Sequence, residues 1–324
     1  MKFLPVILTV TTACAAGAVP HSRIDSEKSQ PEKILPIQNT RSVNQAYLRP
    51  LPLGPLLRPG QNQTSWLLGI ENEFRVNQTI REDGESWRLR YLYRHASEQG
   101  EWLISIPLIH RGGGLLDSFI DLWHQNVVNH SAPNREITPY GRNRYILHDG
   151  SRPSPGTNLG DLTTGYRFRL PASPQISIKL PTGNPGQLLG SGGTDLAFSC
   201  EQTWSIAPRY DFTAQASLIY QSPSSGWTAT RPWIATYNLA LAYRITEHQS
   251  WILQLTSETP AVQNDEPFLD QPNRIISLGL SQSTKAGTWT FWISEDGDIG
   301  WFNLNRGVTT GADFAIGIRF TQKQ

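Results

Sequence analysis

The stretch SWRLRYLYR, residues 86–94, alternates two kinds of side chain. Its odd-numbered positions hold Trp, Leu, Tyr and Tyr, whereas its even-numbered positions hold mainly Arg. A period of two is that of a β-strand with one apolar and one polar face. In a soluble sandwich the apolar face would meet a protein core, and in a membrane barrel it would meet lipid. The period alone does not separate these two folds.

The spacing of similar segments favours the barrel. Short and long connections alternate along the chain, as in an up-and-down barrel with tight periplasmic turns and long external loops. Tryptophans lie near the beginnings of the alternating runs, where interfacial girdles form. We therefore predict an all-β, antiparallel, up-and-down transmembrane β-barrel of about twelve strands, with one amphipathic helix in a long loop. The predicted strands are 65–76, 86–94, 101–109, 159–170, 175–181, 194–204, 209–220, 233–245, 251–258, 274–282, 287–294 and 312–320.

Composition excludes some function classes. The 324 residues carry a formal net charge of +1, and Lys and Arg are spread along the chain, which argues against a nucleic-acid partner. Two cysteines are too few for a structural zinc site of the cysteine-rich kind. We expect no cofactor.

The N-terminal region divides into two segments. Residues 1–18 combine Lys2, an apolar core and small residues ending at Ala18, the pattern of a secretory signal peptide. We therefore expect export and insertion into the outer membrane of a Gram-negative bacterium. Residues 19–63 are polar, rich in proline and without periodicity, which predicts a periplasmic tail or a partial plug; the tail is favoured. The barrel is expected over 64–324, with the helix-bearing loop at 110–158.

Three sequence blocks carry a family resemblance. They are GGGLLDSFIDLWHQ from Gly112, followed by Pro133 and Arg135, then GDLTTGYRFRL from Gly160 and KLPTGNPGQLLGSGGTD from Lys179. Together they resemble the domain of unknown function 3187 (DUF3187) family and, more distantly, the barrel group named for a phenol-degradation meta-pathway protein. The resemblance implies an outer-membrane barrel of unassigned activity. It transfers no catalytic residue.

The first block predicts an amphipathic helix over residues 115–127, with Asp117, Asp121 and His124 on its polar face. Three interpretations remain open. The apolar arc lies on the barrel rim or against lipid, which we favour; the helix constricts the mouth, with its acids reaching arginines of the second strand; or the three polar residues bind a metal. No metal site is predicted.

Enzyme activity is not expected. His95 and Ser97 reproduce a spacing found in outer-membrane phospholipases, but they lie in a predicted periplasmic turn, the wrong side for that chemistry. The acids and histidine of the helix imitate a protease of the omptin type, yet an active site normally draws on several strands. A rim hydrolase therefore stays a minor alternative.

The polar strand faces predict an interior lined by charged residues. We expect the acids of the first strand to face the arginines of the second. Such charges must be paired or hydrated. They either close the interior as ion-pair networks or line a water-filled path. The predicted lining residues are Glu71, Glu73, Arg75, Arg88, Arg90, Arg94, Arg167, Arg169, Lys179, Glu201, Asp211, Arg244, Glu258 and Arg319.

We predict a monomeric, narrow, passive channel or transporter for small polar or amphiphilic solutes. The alternative is a closed structural barrel whose external helix binds a partner or lipid. The expected partners are outer-membrane lipid and lipopolysaccharide, and the barrel-assembly machinery through the C-terminal strand Phe314 to Phe320. No nucleic acid is expected.

Overall fold

The computed structural model describes residues 30–40, 42–76, 81–123, 125–126, 139–147, 150–223, 230–261, 272–295 and 314–324. The predicted signal peptide and His124 lie outside these residues.

Fourteen strands form one antiparallel sheet, which closes because β1 pairs with β14 from Gln63 opposite Lys323 to Asn72 opposite Phe314. Within the described residues, twelve strand positions make the wall. β5 and β6 both pair with β3 and share one position, and β4 pairs with only three residues of β2, on the side where β3 pairs with the rest of it. The predicted fold class is confirmed. The strands are β1 Asn62–Val76, β2 Arg81–Ala96, β3 Gly100–Gly112, β4 Arg144–Ile146, β5 Gly156–Leu159, β6 Leu162–Phe168, β7 Gln175–Leu180, β8 Asp195–Ala207, β9 Tyr210–Tyr220, β10 Trp233–Thr246, β11 Gln249–Glu258, β12 Asn273–Ser283, β13 Thr288–Glu295 and β14 Phe314–Lys323.

The two ends of the barrel differ in the length of their connections. One end carries the short turns 97–99, 169–174, 208–209, 247–248 and 284–287 and also the start of β1 and the end of β14. Apart from 77–80 between β1 and β2, the other end carries the longer connections, up to 113–155 between β3 and β5. Because outer-membrane barrels place tight turns on the periplasmic side, we call these the periplasmic and external ends.

The outer face of the barrel is apolar. Aromatic side chains meet in pairs near the periplasmic end, as in Trp66 with Tyr91, Trp102 with Tyr166, and Trp289 with Phe320. Exposed aliphatic and aromatic side chains cover the wall between the two ends. This is the arrangement of an aromatic girdle beside a lipid-facing band. Examples from the band are Ile104, Leu108, Ile176, Leu239, Leu253, Leu278 and Phe291.

The inner face encloses the segment that precedes β1. We call residues 30–57 the inner hairpin. It begins near the periplasmic end, where the Gln30 carbonyl accepts a hydrogen bond from Thr288. It turns near the external end, in the short 3-10 helix Ser42–Ala46, and returns toward the start of β1. The favoured periplasmic tail is thus replaced, over the described part of 19–63, by a segment that fills the interior.

No helix within the described ranges is long and apolar enough to cross a bilayer.

Candidate functional site

The candidate site is the barrel interior together with the inner hairpin. The ascending limb, residues 30–40, rests on one side of the wall through apolar contacts. Ile34 and Leu35 are fully buried. Burial of this kind contributes on the order of 2 kcal/mol for each large aliphatic side chain. The buried cluster comprises Ile34, Leu35, Ile37, Ala240, Ala242, Ile252 and Ile275, with Trp292 packed against it.

Gly279 on β12 makes room for this limb. A Cβ atom at this position would lie 2.5 Å from Leu35 Cδ2. We expect Gly279→Val to push Leu35 off the wall, because overpacking of this size costs about 1–3 kcal/mol. Trypsin should then cleave the folded variant after Lys33 roughly ten times faster than it cleaves the parent protein, because cleavage follows the open population.

Gly69→Val is the matched control for that experiment. Gly69 also lines the interior, but its nearest neighbour would be the Glu71 side chain at 3.4 Å, an ordinary contact distance. Equal cleavage rates for the two valine variants and the parent protein would show that Leu35 is not held by the fit at Gly279.

Two ion pairs fix the beginning of the ascending limb to the wall. Lys33 Nζ lies 3.2 Å from Asp211 Oδ1, and Glu32 Oε1 lies 3.1 Å from Arg319 Nη2. Two residues further along the limb, the Leu35 backbone N–H donates a hydrogen bond to Gln254 Oε1 at 2.8 Å. The wall charges therefore serve as partners for the hairpin in this conformation.

The tip of the hairpin is held most firmly. Arg49 Nε lies 2.7 Å from Glu258 Oε2, and Asn39 donates to the other oxygen of the same carboxylate at 2.5 Å. The Leu48 backbone N–H donates to Asp195 at 2.8 Å. Arg49 and Glu258 are both buried, so loss of either partner would leave a buried charge without its counterion.

A lysine on β7 joins two of the sequence blocks that carry the family resemblance. Lys179 Nζ lies 2.5 Å from Asp161 Oδ2 and 3.4 Å from Asp195 Oδ2. It also donates to Ser191 Oγ at 2.7 Å. Asp161 in turn accepts the Gly183 backbone N–H at 2.8 Å. The block from Lys179 therefore folds as a loop fastened over the hairpin tip, and Asp161 interrupts the wall strand between β5 and β6.

The descending limb, residues 49–57, is bound through its backbone. Leu53 N–H donates to Glu201 Oε2 at 2.9 Å, and the Gly54 carbonyl accepts from Arg167 at 2.6 Å. The Leu57 N–H donates to Glu101. Backbone groups that would otherwise be buried without partners are thus satisfied by wall side chains.

Most predicted lining residues face inward. Arg169 is half-buried in a periplasmic turn and donates to the Leu57 carbonyl at 2.8 Å. Arg244 is 40% exposed and pairs with Asp211. The side chain of Arg75 lies outside the described residues. The buried ones are Glu71, Glu73, Arg88, Arg90, Arg94, Arg167, Lys179, Glu201, Asp211, Glu258 and Arg319.

The acids of β1 and the arginines of β2 share the inner face, and the charges of Glu71 and Glu73 act on Arg88, but these residues are not directly opposed in the sheet. Glu71 lies opposite Ser86 rather than an arginine, and Arg94 lies opposite Gln63. Arg94 instead pairs with Glu101 on β3, with Nη2 2.6 Å from Oε2. Glu101 is not among the predicted lining residues. It precedes the outward-facing Trp102, and because side chains alternate along a strand, its side chain points inward. Asp161 was missed because it sits where the strand pattern breaks.

Among the described residues, two small cavities of about 50 Å³ each lie beside the hairpin. Arg88 and Arg90 line both of them. The first cavity also touches β3, β6 and β7, and the second touches β1 and β12 to β14. The inner hairpin therefore fills most of the barrel interior but leaves small cavities beside it.

The external helix, which we call α1, spans Asp117–Trp123 and begins two residues later than predicted. Residues 125–126 are also helical, and residues 124 and 127 of the predicted span lie outside the described residues. Glu85 accepts the backbone N–H groups of residues 115 and 116, at 3.1 and 3.0 Å, and Asn72 donates to Asp117 at 2.9 Å. These contacts seat the helix on the rim above β1 and β2.

The apolar side of α1 faces outward. Leu115 is 76% exposed and Leu122 59% exposed, while Phe119 touches Phe314 on β14 edge-to-face at 5.7 Å. Asp121 accepts from Tyr140 at 2.6 Å. This geometry fits the rim or lipid interpretation of the helix. Among the described residues no cluster of three His, Cys, Asp or Glu is placed to hold a metal ion, and the proposed third ligand, His124, lies outside them.

The possible hydrolase pair is not assembled as a nucleophile and base. His95 Nδ1 lies 2.8 Å from Asn62 Oδ1, a contact that sequence analysis did not foresee. The Ser97 hydroxyl donates to the Gly100 carbonyl at 3.1 Å. His95 is exposed at the periplasmic end.

Several solved structures are similar to this chain, and the first of those that follow supports the fold. The COG4313 outer-membrane channel from Pseudomonas putida F1 has a TM-score of 0.53 at 11% identity, over 83% of this chain and 97% of that one. The NanC porin has a TM-score of 0.41 at 11% identity, over 81% and 99%. The toluene transporter TbuX of Ralstonia pickettii has a TM-score of 0.36 at 8% identity, over 82% and 89%. The sequence matches no curated protein.

The family comparison covers most of the wall and the hairpin. Residues 32–299 match the family described as Protein of unknown function (DUF3187). This range contains all three sequence blocks and the Lys179 to Asp161 ion pair that joins two of them. The chain is therefore a member of the DUF3187 family and has the fold of outer-membrane channel barrels.

Proposed function

We propose that this protein is an outer-membrane channel for small polar or amphiphilic solutes whose pathway is closed by the inner hairpin. The observation that carries the proposal is the way in which the hairpin is attached. Its backbone and its charged side chains bind wall carboxylates and arginines, as at Leu53 with Glu201 and Arg49 with Glu258. Such contacts can be exchanged for water when the segment moves.

The inner wall supports a conduit better than a solid barrel. A permanently closed barrel needs only packed side chains in its interior, as in the smallest barrels. Here the groups facing the hairpin are ionisable, and once hydrated they would line a polar path. Both signs of charge occur along this wall, which suits small polar or amphiphilic solutes more than one class of ion.

The proposal includes neither catalysis nor a cofactor. The arrangement around His95 offers no base aligned with a hydroxyl. The rim helix supplies an outward apolar surface, which suits contact with outer-leaflet lipid or lipopolysaccharide. The C-terminal strand β14 remains the expected signal for the assembly machinery. Insertion is checked by heat-modifiable migration on a cold detergent gel.

Weakening the tip attachment tests the proposal. We expect Arg49→Gln to raise the open probability in planar bilayers at least severalfold, because it removes the ion pair to Glu258 and the hydrogen bonds to Leu48 and Gln221. The parent protein should stay mostly closed, with brief openings.

Arg58→Gln is the matched control, since Arg58 is exposed and follows the hairpin in the same segment. It should behave as the parent protein does. Bilayers that stay silent with Arg49→Gln, although the gel shows a folded barrel, would favour the structural barrel that binds a partner or lipid.

A further inference from the structure

A pair of arginines on β2 stands between the two cavities. Arg88 and Arg90 lie two residues apart on the same inward face and are each 8% exposed. Arg88 Nη2 donates to Gln45 Oε1 at 3.3 Å, but its Nε is buried without a partner. Among the residues that the structure describes, Arg90 makes no hydrogen bond and no ion pair.

The net charge around this pair balances, but its hydrogen bonding does not. The charges of Glu71 and Glu73 act on Arg88, and that of Glu71 also acts on Arg90. Within the described residues, however, neither guanidinium forms an ion pair with a carboxylate. Because arginine stays protonated, its buried N–H donors require an anion or ordered water.

The other walls of the first cavity indicate what kind of anion would fit. The lining combines the aliphatic side chains of Leu51, Leu92 and Leu103 with the hydroxyl groups of Ser105 and Ser177. The paired charges of Lys179 and Asp161 also border the cavity. Arginine forks match a carboxylate in shape, and the leucines suit a short apolar body. A monoanion suits the site better than a dianion, because Glu71 and Asp161 repel negative charge.

We infer that Arg88 and Arg90 form a binding site for a small carboxylate monoanion inside the closed barrel. The inference rests on the proposed function, because it names a solute class for that pathway. Binding itself is measurable in the closed protein, so a barrel that never conducts would refute the channel and leave this site testable.

The test is acetate titration of the full chain in detergent. Sodium acetate replaces sodium HEPES at constant ionic strength, and the midpoint temperature of the heat-modifiable gel transition is followed. We expect a saturable rise in the midpoint for the parent protein. Arg90→Gln should weaken the apparent affinity roughly tenfold, the loss of one charged hydrogen-bonding partner. Arg209→Gln, an exposed arginine in a periplasmic turn, should titrate as the parent protein does.

Three results would overturn the inference. The parent protein shows no saturable shift; Arg90→Gln shifts as much as the parent; or chloride, titrated in the same way, gives the same shift at the same concentration, which would make this a halide site. Where Arg90→Gln fails to fold, Arg90→Lys keeps the charge but loses the fork, and it should still bind acetate more weakly than the parent.

Discussion

Deleting residues 31–57 is expected to turn the closed barrel into a steadily conducting pore. The wall does not depend on the hairpin for its closure, because β1 pairs with β14 and Gly60 and Gln61 already bind Ala96 outside the deleted range. A twelve-stranded wall freed of the segment that fills it lies between packed eight-stranded barrels and open sixteen-stranded porins. We expect single-channel conductance roughly tenfold or more above the parent's brief openings.

The deletion leaves charged wall groups such as Glu201 and Glu258 without their hairpin partners. These groups would be hydrated in an open lumen rather than buried, so they should not unfold the barrel. A variant in which the same residues become a Gly/Ser linker of equal length is the matched control for the loss of mass. It should conduct nearly as well, because a polar flexible chain cannot form the ion pairs of Arg49 and Lys33.

A folded deletion variant that stays silent would contradict the proposed channel. The side chains of the wall would then close the interior by themselves. The same silence from the linker variant alone would mean only that any chain of that length blocks the path, so the deletion is the decisive member of the pair.

The wall of the barrel could be predicted because its signal is local. Each strand separates lipid-facing from inward-facing side chains with a period of two, as Trp102 and Glu101 illustrate, and no distant partner is needed to read this. Strand ends were less predictable. β2 begins at Arg81 rather than 86, because pairing with β1 continues through REDGE, where no apolar alternation marks it.

The sequence could not decide between a periplasmic tail and a partial plug, because the partners of the inner hairpin are remote. Arg49 and Glu258 are 209 residues apart, and proline-rich sequence without periodicity reads alike in a free tail and in a segment lodged inside a barrel. Its burial follows from backbone N–H groups, such as that of Leu53, that bind wall carboxylates. The amino-acid composition of the segment does not indicate these long-range contacts.

The break in the wall at Asp161 has a related cause. A continuous strand over 159–170 is the simplest interpretation of the pattern, but Asp161 leaves it to bind Lys179 and the Gly183 backbone. The local alternation of side chains does not show that Asp161 leaves the strand pairing and binds a neighbouring loop instead. The same ion pair joins two of the sequence blocks that carry the family resemblance.

The attachment of the descending limb gives the largest expected effect on stability. Arg94 is almost fully buried and binds Glu101 through Nε and Nη2, the Leu53 and Pro55 carbonyls, and Gln63. We expect Arg94→Gln to lower the free energy of unfolding by about 3–5 kcal/mol, since Glu101 would stay buried without its counterion. The measurement is urea unfolding in lipid vesicles, followed by tryptophan fluorescence.

The double variant Arg94→Gln with Glu101→Gln separates the charge from the packing. It removes both ions and keeps amides that can still hydrogen-bond the limb, so it should be more stable than Arg94→Gln alone by about 1–3 kcal/mol. A purely steric role for Arg94 would instead make the double variant at least as unstable as the single one. Arg58→Gln, on an exposed site of the same segment, should change the free energy of unfolding by less than about 0.5 kcal/mol. A loss below about 1 kcal/mol for Arg94→Gln would mean that water already reaches Glu101, and the inner hairpin would then be held far more loosely than its contacts imply.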